Sequence, residues 1–184
     1  MIFEEVNGIQ DKSGLKVILY GQEGVGKSSL AAQFPGAIFI DCEGGTKYMN
    51  VRRLPSPTCW QMLCNEMLYI LEVHQQKQYQ SVIIDTFDWA EQLAIAYLCE
   101  KYKVDGIEGF GYGKGWQYEC ELISKFLDMT NQLISAGINV VILCHADKKK
   151  VTLPEEINEF DHWEVFLWSC FRNQHKNRSE RMLH

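Results

Sequence analysis

The sequence predicts an α/β fold built on a parallel sheet, and three observations carry that prediction. Four short apolar runs, at residues 15–20, 37–40, 82–84 and 138–144, are spaced along the chain with helical stretches between them. Each run is apolar throughout instead of alternating, the pattern of strands covered on both faces. A glycine-rich loop joins the first run to the first helical stretch, at the strand end where such sheets bind ligands.

Taken in order, residues 1–14 are polar with two glycines and read as a lead-in arm. Strand 15–20 enters the loop, and 28–34 read as a helix stopped by Pro35-Gly36. The second strand ends at Asp41 and is followed by Glu43-Gly44-Gly45; a connection with two prolines covers 52–57. From 58 to about 79, Trp60, Leu63, Cys64, Met67, Leu68 and Leu71 fall at the three-and-four spacing of an amphipathic helix. The third strand ends at Asp85. A helix from about 88 to 103 follows, with Asp88 as its N-cap and Glu91 three residues on, a capping box. After a glycine-rich aromatic loop at 105–115, helix 116–136 puts Ile123, Phe126, Leu127, Leu133 and Ile134 on one face, with Gly137 as its C-terminal cap. The pattern makes three layers, helices over both faces of a mostly parallel sheet. The core spans 15–165. A tail at 166–184 departs from it, an apolar run at 166–171 followed by polar residues that read as an edge strand with a frayed end.

The 184 residues suit one domain, and 46% hydrophobic with 12% aromatic content fits a packed globule. A net charge of −6 excludes a protein-wide basic field, so any nucleic-acid contact must come from a local patch. Seven cysteines include no C-x-x-C pair, and with no secretory N-terminus they predict a reducing, cytoplasmic setting. No apolar run approaches the roughly 18 residues that span a bilayer.

The loop itself, Gly21-Gln22-Glu23-Gly24-Val25-Gly26-Lys27-Ser28, reads G-x-x-x-x-G-K-S, the phosphate loop of nucleotide triphosphatases. Gly21 and Gly26 let the backbone form a nest of N–H groups around a phosphate. Lys27 adds a catalytic point charge between the β- and γ-phosphates, and the Ser28 hydroxyl ligates Mg²⁺. Ser29 continues the contact into the first helical turn, whose partial positive charge faces the phosphates. ATP and Mg²⁺ are the predicted ligands.

The other strands deliver acids to the same edge. Asp85, ending the apolar Val82-Ile83-Ile84, has the Walker B pattern of a carboxylate that holds Mg²⁺ through water. Thr86 follows it, so the carboxylate that polarises the attacking water must come from elsewhere. Glu43, on the neighbouring strand, is the best-placed acid; the alternative is that it only orders the Gly44-Gly45 turn. His145, ending the fourth strand, can touch the γ-phosphate or serve a structural role.

These motifs, together with Gly111-Tyr112-Gly113-Lys114-Gly115 and Val140-Val141-Ile142-Leu143-Cys144-His145-Ala146, resemble the RecA-like ATP-binding proteins of phages and prophages. Those proteins are often grouped with AAA-family ATPases and linked to single-strand annealing and recombination. The resemblance covers about 14–165. It implies a RecA-type core, Glu43 as catalytic carboxylate, His145 as γ-phosphate sensor, and single-stranded DNA with a phage recombination or replication protein as partners. It also implies ATP held between subunits of a homo-oligomer, with a finger residue supplied in trans. Such proteins continue past 161–165 with further core elements, so the unmatched 166–184 tail predicts a C-terminally shortened chain.

Two segments are candidates for nucleic acid. Phe110, Tyr112 and Trp116 interleave with glycines and Lys114, a loop able to stack bases or to serve as a packed hinge. Lys148-Lys149-Lys150 follows His145 directly, as a DNA-touching loop or a solvated turn. A small-molecule kinase shares the phosphate loop, but the resembling region holds only Arg52 and Arg53 where kinases carry an arginine-rich lid. A third reading is a module that binds nucleotide without turnover.

Overall fold

The computed structural model describes residues 13–152 and 159–165, the far end of this range largely by its backbone. Most of the predicted N-terminal arm and the whole 166–184 tail, with its apolar run, lie outside the described residues. The elements follow the predicted alternation. They are β1 (Lys16–Gly21), α1 (Lys27–Ala31), β2 (Ala37–Asp41), α2 (Trp60–Lys77), β3 (Ser81–Asp85), α3 (Phe87–Tyr102), α4 (Lys114–Ser135), β4 (Asn139–Thr152) and β5 (Glu159–Val165). Short 3₁₀ turns at Gly45–Tyr48 and Ile107–Phe110 punctuate them.

The sheet order is β1-β4-β3-β2, all parallel, with β5 antiparallel against the far part of β4. Register aligns the strand ends: Gly21 pairs with His145 and Asp41 with Asp85. The helices split between the faces. On one face α2, α3 and α4 pack Trp60, Leu63, Phe87, Ala90 and Phe126 onto Ile38, Ile40, Val82, Ile84, Val140 and Ile142. On the other, Ala31 of α1 covers Phe39, Ile83, Val141 and Leu143. The result is a three-layer α/β P-loop NTPase fold.

Three expectations change. β1 is not buried on both faces: Ile18 is 44% and Tyr20 53% exposed while Val17 and Leu19 pack inward, whereas β2, at the other edge of the sheet, is covered on both. β4 does not stop at Cys144 but runs on to Thr152, so Lys148-Lys149-Lys150 belong to a β-ribbon in which Lys148 pairs with Trp163, not to a loop. The capping box is absent: Thr86 is the N-cap of α3, its side chain making no cap bond, and Asp88 lies in the first turn. Asp88 is drawn instead to β4. Gly137 is at φ 86 and closes α4 as its sequence predicts.

The α3–α4 contact holds a buried acid pair. Glu119 on α4 is fully buried and Glu91 on α3 nearly so. Burial, with the hydrogen bond that protonated Glu119 donates to Glu91 and the Glu91 charge, pushes Glu119 up from 4.5 to about 9. A carboxyl raised on folding stabilises the fold fully only below its unfolded value, and that contribution is lost as pH climbs towards the folded one. The urea midpoint of the protein should therefore fall from about pH 5 to about pH 9, and fall less in Glu119→Gln. Parallel pH profiles of the two would contradict this.

Candidate functional site

The phosphate loop folds around its own lysine. Lys27 Nζ donates to the carbonyl oxygens of Gly21 and Gln22, each at 2.9 Å, which fixes the ammonium inside the curve of the loop. Gly26 sits at φ 98 as the N-cap of α1, a left-handed conformation that a side chain would strain. Leu30 N–H then donates to the Gly26 carbonyl at 2.9 Å, closing the first turn of the helix that aims its amide groups at the loop. Val25 projects outward, 66% exposed.

Asp41 and Asp85 end adjacent strands in register but do different work. Asp41 accepts from the Gly44, Gly45 and Thr46 N–H groups at 2.6, 3.2 and 3.0 Å and from the Thr46 hydroxyl at 2.5 Å. The turn after β2 is thus ordered by Asp41, which leaves Glu43 free of that duty. Asp85 takes a hydrogen bond from the Ser28 hydroxyl; burial holds its carboxyl above the usual range, and that bond and Lys27 oppose the rise. Its Oδ2 is buried with no hydrogen-bond partner. A hydroxyl and a half-satisfied carboxylate beside a phosphate loop are hard oxygen donors, and they suit Mg²⁺, which takes one or two protein oxygens plus phosphates. No group of three or more His, Cys, Asp or Glu is arranged for a metal among the described residues.

His145 is held from two sides by Asp88. Asp88 Oδ1 accepts from the His145 backbone N–H at 3.1 Å, and Oδ2 lies 2.6 Å from Nδ1. That pairing keeps a proton on Nδ1 and turns Nε2 towards Glu43, whose Oε2 is 3.9 Å away. Burial raises the Glu43 carboxyl above its ordinary value, with His145 pulling the other way. Asp88 is the residue that sequence reasoning misread. Its spacing to Glu91 fits a cap, and only the three-dimensional approach of β4 reveals its partner.

A cavity of about 300 Å³ gathers these groups. Lys27, Ser28, Ser29, Glu43, Asp85 and His145 all line it, as do Glu23, Gly24 and Gly26; Gly21, Gln22 and Val25 belong to the loop but not to the lining. The nucleic-acid candidates lie elsewhere. Tyr112 is fully exposed at φ 47 before α4, and Lys114 is exposed. Trp116 donates from Nε1 to Glu108 Oε1 at 3.1 Å, while Phe110 packs edge-on against Tyr102 and Tyr118. Lys148 is exposed on β4, and the side chains of Lys149 and Lys150 lie outside the described residues.

The chain is 27% identical over 150 residues to the SPbeta prophage-derived uncharacterized protein YorG of Bacillus subtilis (strain 168), covering 77% of this chain and 45% of that one. It thus spans less than half the length of this relative. The KaiC-like protein PH0186 from Pyrococcus horikoshii OT3 superposes with a TM-score of 0.43 at 12% identity, over 84% of this chain and 79% of that one. A family model described as an AAA domain matches residues 13–169, and with most of its length inside that match the chain belongs to the AAA domain family of nucleotide-binding P-loop proteins.

Proposed function

We propose that this protein is a Mg²⁺-dependent ATPase that works with single-stranded DNA in phage recombination or replication. The observation that carries the ATPase reading is the single cavity shared by the phosphate loop, Asp85, Glu43 and His145. The loop amides and Lys27 bind and orient the triphosphate. Ser28 and Asp85 would hold Mg²⁺, which would supply positive charge against the triphosphate. Glu43 takes a proton from the attacking water as its oxygen bonds to the γ-phosphorus and the bond to the β–γ bridging oxygen breaks, releasing ADP and phosphate. His145 meets the γ-phosphate through Nε2 and registers its loss. Asp88, gripping both ring and backbone of His145, ties that event to the strand that continues into Lys148. The DNA part of the reading rests on that continuity, on the exposed Tyr112 and on the prophage relative. A homo-oligomer with ATP at the subunit boundary belongs to the same proposal.

Glu43→Gln should keep nucleotide affinity and lower phosphate release by roughly two or more orders of magnitude, the scale of a positioned acid–base group. The parent rate should fall on acidification with an inflection above 4.5, because Glu43 must be ionised to accept the proton and burial raises its pKa. A Glu43→Gln protein as active as the parent would return Glu43 to a structural part. Nucleotide binding without release in the parent would favour a module that does not turn over.

Single-stranded DNA should bind with affinity that falls as salt rises. Contacts from Lys148, Lys149 and Lys150 contribute about −2 to the slope of log K against log salt, at about −0.7 each, and their joint replacement by Ala should remove that share. Tyr112→Ala should leave the slope unchanged and weaken binding by about 1–3 kcal/mol as a stacking ring is lost. No binding at low salt with ATP present would remove DNA from the reading.

A further inference from the structure

The parallel sheet has two outer edges, and only one of them is closed among the described residues. Beyond β2 the following connection supplies a partner: Phe39 N–H donates to the Arg52 carbonyl and Leu54 N–H to the Phe39 carbonyl, each at 2.9 Å. Beyond β1 no described strand pairs. The Leu15 carbonyl accepts from the Val140 N–H at 2.8 Å, so by strand alternation the backbone groups of Val17 and Leu19 also point to β4. Those of Lys16, Ile18 and Tyr20 point outward, a row of unpaired donors and acceptors. The surface beside them is apolar, since the Ile18 and Tyr20 side chains are half-exposed. Such an edge is a template for another strand.

We infer that the chain's own apolar run, Phe166-Leu167-Trp168-Ser169-Cys170-Phe171, pairs antiparallel with this edge of β1. The path of the chain argues the occupant. Strands flanking a third on opposite sides lie about 9.6 Å apart. β5 comes closer than that to β1, so it lies on the β1 side of β4. Its last residue, Val165, pairs with Ala146, one position beyond the pair of His145 with Gly21. The chain thus arrives head-on at the end of β1 and has to step aside by one strand spacing, about 4.8 Å, which about one or two residues cover. Its direction, antiparallel to β4, then carries the rest of the apolar run past Tyr20 and Ile18, and the polar residues begin at Arg172. A segment tethered at that point acts at millimolar effective concentration, which favours it over a second copy of the chain. The residues ahead of β1 approach from another side, where Gly14 N–H donates to the Ile134 carbonyl at the end of α4 at 2.7 Å. The inference is independent of the nucleotide reading.

Amide hydrogen exchange of the full chain, followed by NMR, tests this residue by residue. In the parent the Lys16, Ile18 and Tyr20 amides should be protected along with those of Val17 and Leu19. Proline has no N–H to give a ladder. Trp168 and Ser169 are adjacent, so one of them faces β1 in any register. In at least one of Trp168→Pro and Ser169→Pro, the three outward amides should exchange about ten-fold or more faster. Val17 and Leu19, bonded to β4, should keep their protection and so report an intact sheet. Outward amides that are unprotected in the parent would overturn the assignment. So would protection that survives both substitutions, which would put the segment before β1 or another partner on the edge, and protection that vanishes on dilution, which would put a second copy there. If the prolines also release Val17 and Leu19, the parent decides alone. Its Ile18 and Tyr20 amides should show nuclear Overhauser contacts to the backbone of 167–171; contacts to residues before Ser13 instead, or none, would overturn the pairing.

Discussion

The site depends on the shared polarity of the parallel strands. Because β1, β2, β3 and β4 all run the same way, their carboxyl ends meet at one edge, and register brings Gly21 beside His145 and Asp41 beside Asp85. Hydrophobic burial fixes that register. Ile38–Ile40, Val82–Ile84 and Val140–Cys144 are covered on both faces, and a slip of one residue would carry each side chain to the opposite layer and move the acids away from the loop. The chemistry therefore hangs on apolar residues that never touch the ligand.

Electrostatics then separates the roles of groups that look alike. Asp41, Glu43, Asp85 and Asp88 lie within a few residues of the same edge, yet each has a different partner. Asp41 is consumed by a turn, Asp88 by His145, and Asp85 is half satisfied by Ser28. Glu43 keeps a carboxylate on the cavity wall. The thiols here are held in the neutral form. Burial and the surrounding carboxylates push Cys42 far above the ordinary thiol range and Cys144 up to about 12, so both stay protonated.

Local signals were legible in the sequence and long-range ones were not. The phosphate loop, the Asp85 strand end and the α4 face follow from spacing and periodicity, and each appears within two or three residues of its predicted bounds. The open face of β1 was hidden, because Val17-Ile18-Leu19-Tyr20 is as apolar as the central strands and only the packed fold leaves one of its faces uncovered. Asp88 was hidden because its partner lies 57 residues away, while a plausible local partner, Glu91, sits three residues on. Glu66 was hidden in the opposite sense: it interrupts an apolar stripe between Leu63 and Ile70, and helical spacing does not say whether such a residue is buried. The strand through Lys148 was missed because charged residues do not read as strand, and pairing with β5 supplies what propensity lacks.

The central claim is that one edge of the sheet holds a nucleoside triphosphate and its divalent cation together. Calorimetric titration of ATP, with and without Mg²⁺, into the protein and its Asp85→Asn and Lys27→Ala variants tests it most directly. The protein should bind more tightly with Mg²⁺ than without. Asp85→Asn should lose most of that difference while still binding nucleotide, and Lys27→Ala should lose tight binding altogether. Unchanged affinity in Lys27→Ala, or a Mg²⁺ dependence left intact in Asp85→Asn, would contradict the account.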